Sequence, residues 1–546
     1  METPPDTSQS RFPTVRWIGR TLFSRKMAIA VIVLVTLVAL FYAEENFRGK
    51  RAWDRYREES EARGIKLDFA AHIPPLIPDS ENGANTPLIQ SWFPKPKPDD
   101  TNQWPATYNF ASSKITVKRR TTGPGSQDDR FFTDLVAWQQ AFARLKEPEN
   151  KDAKKIERNS HATDLDKQEQ AAAALAVLAE LKAYESPLDE LQAMSAHSKV
   201  RYPVTYKLDE PFSILIPHLA KLKGIIQVLN LRACAELAAG RTNQAFETVK
   251  LMLWICDSVE PEPFLISQLV RIATRQITLQ PVWEGLARHQ WSEPQLKELQ
   301  ERFLRTDFIG SLDRCLASEQ AGGLATIQWM QKQRHRGEAM AMFDWAESES
   351  GSPGRSAANK SLGNVIGWFI PNGWFEFEMA NYGQLMGQLN RGSWEMEAKA
   401  VHPRVVDENN HRLETQLQRG PVDTLWHHYV FSRLLLPALG RASMRSSRAQ
   451  STAQQAGLAC ALERYFLAQG KYPDALTDLL PKYLAKVPHE VVSTNAMHYQ
   501  QTAQGFLLYS IGWDGKDDGG MFLKPINGRP EIINPENGDW VWRSAP

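Results

Sequence analysis

The pattern of apolar and charged residues is interrupted near the N-terminus by one long apolar run. Residues Met27 to Ala43 include no charged side chain. A helix over this run would be about 25 Å long, the short end of the range that crosses a bilayer. A core helix usually keeps a polar face, and a cleaved signal peptide favours a small residue where Phe41 stands. The pattern predicts an uncleaved transmembrane helix at 27–43, ahead of those two alternatives.

The charges beside this run predict its orientation. Arg25 and Lys26 adjoin its first end, and Glu44 and Glu45 follow its second end. Over longer flanks the basic residues are nearly balanced, so the closest charges decide the prediction. Because basic flanks stay on the cytoplasmic side, we expect residues 1–26 to be a cytoplasmic tail and the remainder to lie outside the cytoplasm.

The segment 44–125 combines a predicted stalk with a proline-rich connector. Residues 44–66 are charged and have helical spacing, which predicts that the membrane helix continues through them. From Phe69 to Gly125, nine prolines break any long element, because proline fixes φ and lacks a backbone donor. Aromatic residues predict that this connector is docked on the next domain: Trp92, Phe93, Trp104, Tyr108 and Phe110.

Residues 126–310 have the spacing of amphipathic helices. Asp209 and Pro211 are predicted to begin a long helix that ends at Gly240, and Ser292 with Gln295 forms a predicted capping box. The stretch 231–253 resembles one tetratricopeptide-type helix pair, but no second copy follows at the family's period. We therefore expect an irregular helical-hairpin domain, either a scaffold or a concave peptide-binding surface.

The pattern is less regular from 311 to 400. Residues 348–361 are small and polar, which predicts a surface loop or linker. Residues 366–389 are rich in aromatic side chains, which are typical of a core, a groove or a membrane-surface contact. The core interpretation is favoured.

Composition narrows the classes of function. Lys and Arg number 64 against 63 Asp and Glu, a net charge of +1, which argues against a nucleic-acid partner. A mean hydropathy of −0.42 excludes a multi-span transporter. Four cysteines are too few for a disulfide scaffold. We expect buried thiols, with a Cys234–Cys256 disulfide as the alternative.

The C-terminal part, 401–546, predicts an α+β module. A long helix from Leu434 to Gly470 precedes two β-like runs at 497–502 and 505–511, which form a predicted hairpin. An acidic, glycine-rich loop follows at 510–520. The fold class expected for the whole chain is therefore mainly α with a C-terminal α+β domain.

This module resembles the major pseudopilin of type II secretion, a type IV pilin-like family. The matching residues are LLLPALGRA from Leu434, LERYFLAQGKYP up to Pro473, LLYSIGWDG from Leu507, and Gly-Asp-Trp at 538–540. The resemblance covers about 110 of 546 residues and implies a pseudopilin-like fold with a calcium ion held by the acidic loop. The chain departs from the family because no prepilin processing site precedes its apolar run, which lies far upstream of the module. A borrowed domain is therefore expected, and not a pilus subunit.

The chain also resembles a group of bacterial membrane-anchored envelope proteins. The matching features are the Gly-Trp-Phe segment at 373–375 and the Asp-Gly-x-Asp-Asp-Gly-Gly pattern that begins at Asp514. This resemblance implies the bacterial inner membrane as the location, with the bulk of the chain in the periplasm.

The chemistry of the acidic loop independently favours a calcium ion. Asp514, Asp517 and Asp518 place three carboxylates within five residues, and the glycines between them let backbone carbonyls turn inward. Calcium prefers six to eight oxygen ligands. Asp539 and Ser510 are the further candidate ligands, and a solvated turn without metal is the alternative interpretation.

No catalytic or cofactor-binding residue is predicted. The densest histidines are His427, His428, His402 and His411, and none has the spacing of a helical zinc site. Nucleotide-binding and serine-hydrolase motifs are absent from the sequence. An enzyme with a site near His427 and the 366–389 aromatics remains an alternative.

These features predict a non-catalytic, membrane-anchored envelope scaffold or interaction protein. Its expected partners are the bilayer, through residues 27–43, and an envelope protein; calcium is the expected cofactor. The second alternative is an accessory component of a secretion or pilus-like assembly.

Overall fold

The computed structural model describes residues 25–93, 116–117, 132–145, 155–156, 167–333, 370–418, 423, 426–436, 439–521 and 537–544. These residues form mainly helices, with a small antiparallel sheet near the C-terminus, as the sequence predicts. The helices are α1 Arg25–Ala62, α2 Pro87–Trp92, α3 Leu135–Leu145, α4 Lys167–Leu181, α5 Glu185–Met194, α6 His218–Ala238, α7 Thr242–Ser258, α8 Leu265–Ala287, α9 Glu293–Arg305, α10 Phe308–Gln333, α11 Asn372–Asn390, α12 Pro403–Leu417, α13 Val430–Leu435 and α14 Ala442–Gln469. The strands are β1 Thr116–Val117, β2 Lys155–Ile156, β3 Trp394–Glu395, β4 Ala400–Val401, β5 His498–Thr502, β6 Gly505–Ser510 and β7 Trp540–Arg543.

Helix α1 joins the predicted membrane segment and the predicted stalk without a break. Its most apolar window has a mean hydropathy of 2.4, and none of that window is buried by the rest of the chain. The helix is therefore long and apolar enough to cross a membrane. Its charged second half continues to Ala62, so the helix covers most of the segment 44–66 through which the sequence predicts that it continues.

Backbone contacts divide the chain into two compact units. The anchor unit comprises the described parts of Met1–Ile65, Ile327–Gln384 and Gly420–Leu434. The body unit comprises the described parts of Lys66–Thr326, Leu385–Arg419 and Leu435–Pro546. Each unit draws on segments that are far apart in sequence.

Local helix signals in the body unit are where the sequence places them. Gly240 has a φ of 72° and ends α6, as expected for a left-handed helix stop. The capping box of Ser292 and Gln295 begins α9, with the Ser292 N–H donating to the Gln295 side chain at 2.9 Å. Gly470 ends α14 with a φ of 74°.

The largest core of the body unit is shared by the helical hairpins and the C-terminal module. Helix α14 packs along α9 and α8, and the sheet packs on α14. The Trp283 indole N–H donates to the Arg543 carbonyl at 2.8 Å, and the Gln455 amide donates to the Trp540 carbonyl at 2.6 Å. Fully buried apolar residues from both sequence regions line this core: Leu253, Trp283, Trp291, Phe303, Leu458 and Leu508.

The C-terminal sheet has the order β5-β6-β7 and is antiparallel throughout. Thr502 pairs with Gly505 at the predicted hairpin, and Ser510 pairs with Trp540 at the other end of β6. The third strand, β7, therefore follows the acidic loop in sequence and returns to pair with β6, the strand that precedes the loop.

Two predicted helix starts differ from the structure. The helix expected from Asp209 begins at His218, directly after Pro217. Proline has no backbone N–H, so it fits at the start of a helix but would break a hydrogen bond in its interior. Pro211–Ser213 is a separate 3-10 turn. Helix α14 begins at Ala442 and not at Leu434. The sequence has a proline at position 437, and a proline inside a helix removes an internal hydrogen bond. The predicted loop 348–361 and the connector aromatics Trp104, Tyr108 and Phe110 lie outside the described residues.

Candidate functional site

The predicted acidic loop lies between β6 and β7 of the body unit. Gly512 has a φ of 71°, and a Cβ at this position would lie 2.0 Å from the Gly538 carbonyl oxygen. Only glycine therefore allows the loop to approach the last segment this closely.

Asp539 joins the last segment to the loop. Its carboxylate is fully buried, and its Oδ2 accepts the N–H groups of Asp518 at 3.1 Å and Gly520 at 2.7 Å. In return, Asp514 Oδ2 accepts the Gly538 N–H at 3.3 Å. The structure thus places Asp539 and Ser510 beside the loop in which the sequence predicts an ion site.

The three loop aspartates also make local backbone contacts. Asp514 Oδ1 accepts the Lys516 N–H at 3.2 Å, and Asp517 Oδ1 accepts the Gly519 N–H at 2.9 Å. Within the described ranges, no group of three or more His, Cys, Asp or Glu side chains is arranged to hold a metal ion. The calcium site stays a prediction, with its ligands Asp514, Asp517, Asp518, Asp539 and Ser510.

Two buried oxygens at the base of the loop have no hydrogen-bond partner among the described residues. They are Ser510 Oγ and Asp539 Oδ1. An unsatisfied buried polar atom costs about 1–3 kcal/mol. Burial raises the pKa of Asp539 to about 6, and the charges of Asp517 and Asp518 add to this effect. A cation bound at Asp539 Oδ1 would offset the cost at that atom, and carboxylate and hydroxyl oxygens are the ligands that calcium prefers.

A histidine that the sequence did not single out lies beside the loop. His498 Nε2 is 3.8 Å from Glu490 Oε1, and its Nδ1 is 3.8 Å from Asp517 Oδ2. The imidazole stacks on Tyr509 with ring centroids 4.6 Å apart. Glu490 is fully buried and accepts the Ile511 N–H at 3.1 Å. The β5-β6 pairing brings His498 to Tyr509, whereas the turn at 489–496 brings it to Glu490. The contacts with Tyr509 and Asp517 have no signal in local spacing.

The anchor unit contains a second cluster, built where α11 crosses α1. The Gly373 N–H donates to the Asn46 side chain at 2.8 Å, and the Trp374 indole N–H donates to Glu45 at 2.9 Å. A Cβ at Gly49 would lie 2.2 Å from the Gly373 carbonyl oxygen. The Gly-Trp-Phe segment therefore serves to pack α11 directly on α1.

Two titratable groups pack on this crossing. His428 stacks on Phe377 at 4.7 Å, and burial, together with the charges of Arg48 and His427, lowers its pKa to about 4. Glu378 is buried and accepts the backbone N–H groups of Val430 and Phe431 at the start of α13. Burial raises the pKa of Glu378 to about 8. These groups hold the 426–435 segment against α11.

The enzyme alternative near His427 gains no support from the geometry there. The His427 side chain is 46% exposed, and its Nδ1 lies 2.9 Å from Asp423 on its own turn. Phe375 and Tyr382 of the aromatic window are buried, which agrees with the favoured core interpretation for these two side chains. Trp368 and Phe369 lie outside the described residues.

A buried polar network occurs elsewhere, in the body unit. His218 Nε2 lies 2.6 Å from Glu262, and the Ser267 hydroxyl donates to the same carboxylate. The Tyr202 ring stacks on the imidazole at 4.4 Å. A small cleft reaches this network but not His218 itself; its lining includes Tyr202, Tyr206, Ser258 and Glu262. The Phe93 and Tyr202 rings both stack on the imidazole, so it presents no open face to a substrate.

The cysteines are buried thiols, and no disulfide joins Cys234 to Cys256. Burial raises the pKa of Cys315 to about 12 and also raises the pKa of Cys256 and Cys460. Because the thiolate is the reactive form, these thiols are poor nucleophiles.

Comparison of the chain with protein-family models, with curated proteins and with solved structures finds no match. The pseudopilin resemblance of the C-terminal module therefore stays a prediction.

Proposed function

We propose that the chain is a non-catalytic scaffold of the bacterial envelope, anchored in the inner membrane by α1. In this proposal, the N-terminus is cytoplasmic and the body unit lies in the periplasm. The C-terminal module is pseudopilin-like and is stabilised by calcium. Its partners are the bilayer and an envelope protein.

The continuity of α1 is the observation that supports this proposal most directly. One helix runs from the exposed apolar segment into a stalk that packs on α11 at Gly49 and Gly373. A flexible tether would let the folded part turn freely, whereas a packed stalk fixes the anchor unit to the membrane segment. Such a rigid link suits a scaffold, which holds its partner protein at a fixed position relative to the membrane.

The buried oxygens of Ser510 and Asp539 support the calcium part of the proposal. Both lack a hydrogen-bond partner in the part of the chain that the structure describes, and both lie where the loop meets the last strand. When bound, calcium would supply charge neutralisation there. The residues that would hold it are Asp514, Asp517, Asp518, Asp539 and Ser510.

Labelling of introduced cysteines tests the anchor and its orientation. Leu467 is 44% exposed in the body unit, whereas the four native thiols are buried. We expect a membrane-impermeant maleimide to label the Leu467→Cys chain in intact spheroplasts. The matched variant Ser24→Cys should be labelled only after lysis. The reverse pattern, or labelling of both variants in intact spheroplasts, would contradict the proposal.

A further inference from the structure

The apolar segment is short for the membrane that it would cross. Residues 27–43 span about 25 Å as a helix, against about 30 Å for a typical hydrocarbon core. A short span is accommodated by drawing its flanking residues into the interface. This step rests on the proposed membrane anchor, and it places the residues just after Ala43 among the lipid headgroups.

Folded segments of the anchor unit lie at the same level. The Glu45 side chain is only 12% exposed, because Trp374 donates to it and Arg48 pairs with it at 3.1 Å. His428 Nε2 lies 3.9 Å from the same carboxylate. Gly49, where α1 approaches Gly373 of α11, is six residues beyond Ala43, or about 9 Å along the helix axis. The start of α11 and the turn at His428 therefore lie within the depth of a headgroup layer.

Two large aromatic side chains that are close in sequence to these contacts are exposed. Phe47 is 63% exposed and Trp426 is 67% exposed. On α1, Phe47 is turned about 200° from Glu45, away from the face that packs on α11. Trp426 is two residues from His428. Aromatic side chains with an apolar body are enriched at membrane interfaces.

The charges next to these aromatics complement an anionic lipid surface. Arg48, Lys50, Arg51 and Arg55 are exposed on the α1 segment that follows the span. Basic side chains close to a bilayer gain about 1 kcal/mol each from anionic lipids. Of the two acids directly after the span, Glu45 is paired with Arg48 within the protein and Glu44 is exposed, so basic side chains outnumber exposed acidic ones on this segment.

We propose that the anchor unit binds the headgroup region of the bilayer that α1 crosses. Phe47 and Trp426 insert beside the headgroups, and Lys50 and Arg51 of α1 contact lipid phosphates. The unit is thereby held against the membrane at a second place, so the stalk does not project freely.

Spin labelling of the full chain in vesicles of phosphatidylcholine and phosphatidylglycerol tests this. A nitroxide is attached at Trp426→Cys, and its collisions with oxygen and with a water-soluble nickel complex are measured. The matched control is Leu175→Cys, which is 50% exposed in the body unit. Because the native thiols are buried, the label enters the new cysteine. We expect the oxygen-to-nickel collision ratio at 426 to be several-fold higher than at 175.

A third label, at Val35→Cys in the apolar segment, separates failure of this inference from failure of the anchor. A lipid-exposed label at 35 with a water-exposed label at 426 overturns the inference alone. A water-exposed label at 35 overturns the proposed anchor as well. Protection at 426 that disappears when the chain is diluted to one copy per vesicle would show a second copy covering Trp426, which also overturns the inference.

Discussion

At the scale of single residues, Asp539 is the most informative group in the acidic loop. Its carboxyl has a pKa raised to about 6, mainly by burial, although two backbone N–H groups favour the charged form. The unfolded chain ionises this group near 3.8. The stabilisation from the protonated carboxyl is therefore fully present below pH 3.8 and is lost as the pH rises through 6. At neutral pH, the ionised carboxylate is a cost that a bound cation would offset.

Substitution Asp539→Asn should separate the effect of calcium from the effect of pH. Asparagine keeps an acceptor for the Gly520 N–H but has no charge. In EGTA at pH 7.5, we expect the variant to be more stable than the natural chain by about 1 kcal/mol, because solvent near the loop screens part of the cost of the ionised carboxylate. The midpoint of thermal unfolding of the full chain, measured with calcium and with EGTA, is the readout.

Calcium should raise the midpoint of the natural chain and leave that of Asp539→Asn unchanged. The control is Asp79→Asn, which removes an exposed carboxylate of the body unit and should respond to calcium as the natural chain does. Equal midpoints in calcium and EGTA for the natural chain would show that the loop is a solvated turn.

At the scale of elements, the sequence predicts those features that are encoded within a few residues. The apolar run gives α1, Gly240 and Gly470 give two helix ends, and Ser292 with Gln295 gives a helix start. The β5-β6 hairpin follows in the same way from alternating residues around a short turn. Each of these depends on local backbone preferences, which act before any tertiary contact forms.

Contacts between elements were not predicted, because they join residues that no local pattern connects. Gly373 meets Asn46 across 327 residues, and His498 meets Asp517 only when β5 pairs with β6. The aromatic window around Gly373 was correctly favoured as core for Phe375 and Tyr382, but its partner on α1 could not be read from composition. Glycine in a helix is a weak signal in sequence, yet it marks the α1–α11 crossing.

Substitution Gly49→Ala should weaken this crossing. The new Cβ would lie 2.2 Å from the Gly373 carbonyl oxygen, a backbone atom that can move only if the helices separate. Overpacking of this kind costs about 1–3 kcal/mol, which offsets a helix-propensity gain of about 1 kcal/mol. We expect a lower thermal midpoint and faster protease cleavage of α11 in detergent micelles.

The matched control for this change is Gly387→Ala on α11. No atom lies within 4 Å of the Cβ position there, so the helix-propensity gain should appear alone as a higher midpoint. If Gly49→Ala stabilises the chain as much as Gly387→Ala does, α1 and α11 do not approach each other as closely at Gly49 as the structure describes.

At the scale of the whole molecule, the C-terminal module does not have a core of its own within the body unit. Gly457 of α14 approaches Leu304 of α9 so closely that a Cβ would lie 2.6 Å from its side chain. Trp283 of α8 donates its indole N–H to the backbone of Arg543 in β7. The helical hairpins and the module therefore bury one another's apolar faces. If either part were removed, a large apolar surface of the other would be exposed to solvent.

Deletion of residues 434–546 should for this reason unfold the helical hairpins as well. Removing α14 and the sheet exposes Trp283, Phe303 and Trp291, whose burial holds the hairpin core together. We expect the truncated chain to lose cooperative urea unfolding, followed by tryptophan fluorescence, whereas the full chain unfolds in one steep transition whose slope reflects the large buried surface. Addition of a separately produced fragment of residues 434–546 should restore the cooperative unfolding transition if the two parts are complementary halves of one core. A truncated chain with an unchanged midpoint would instead show that the hairpins fold alone and that the module is an independent domain.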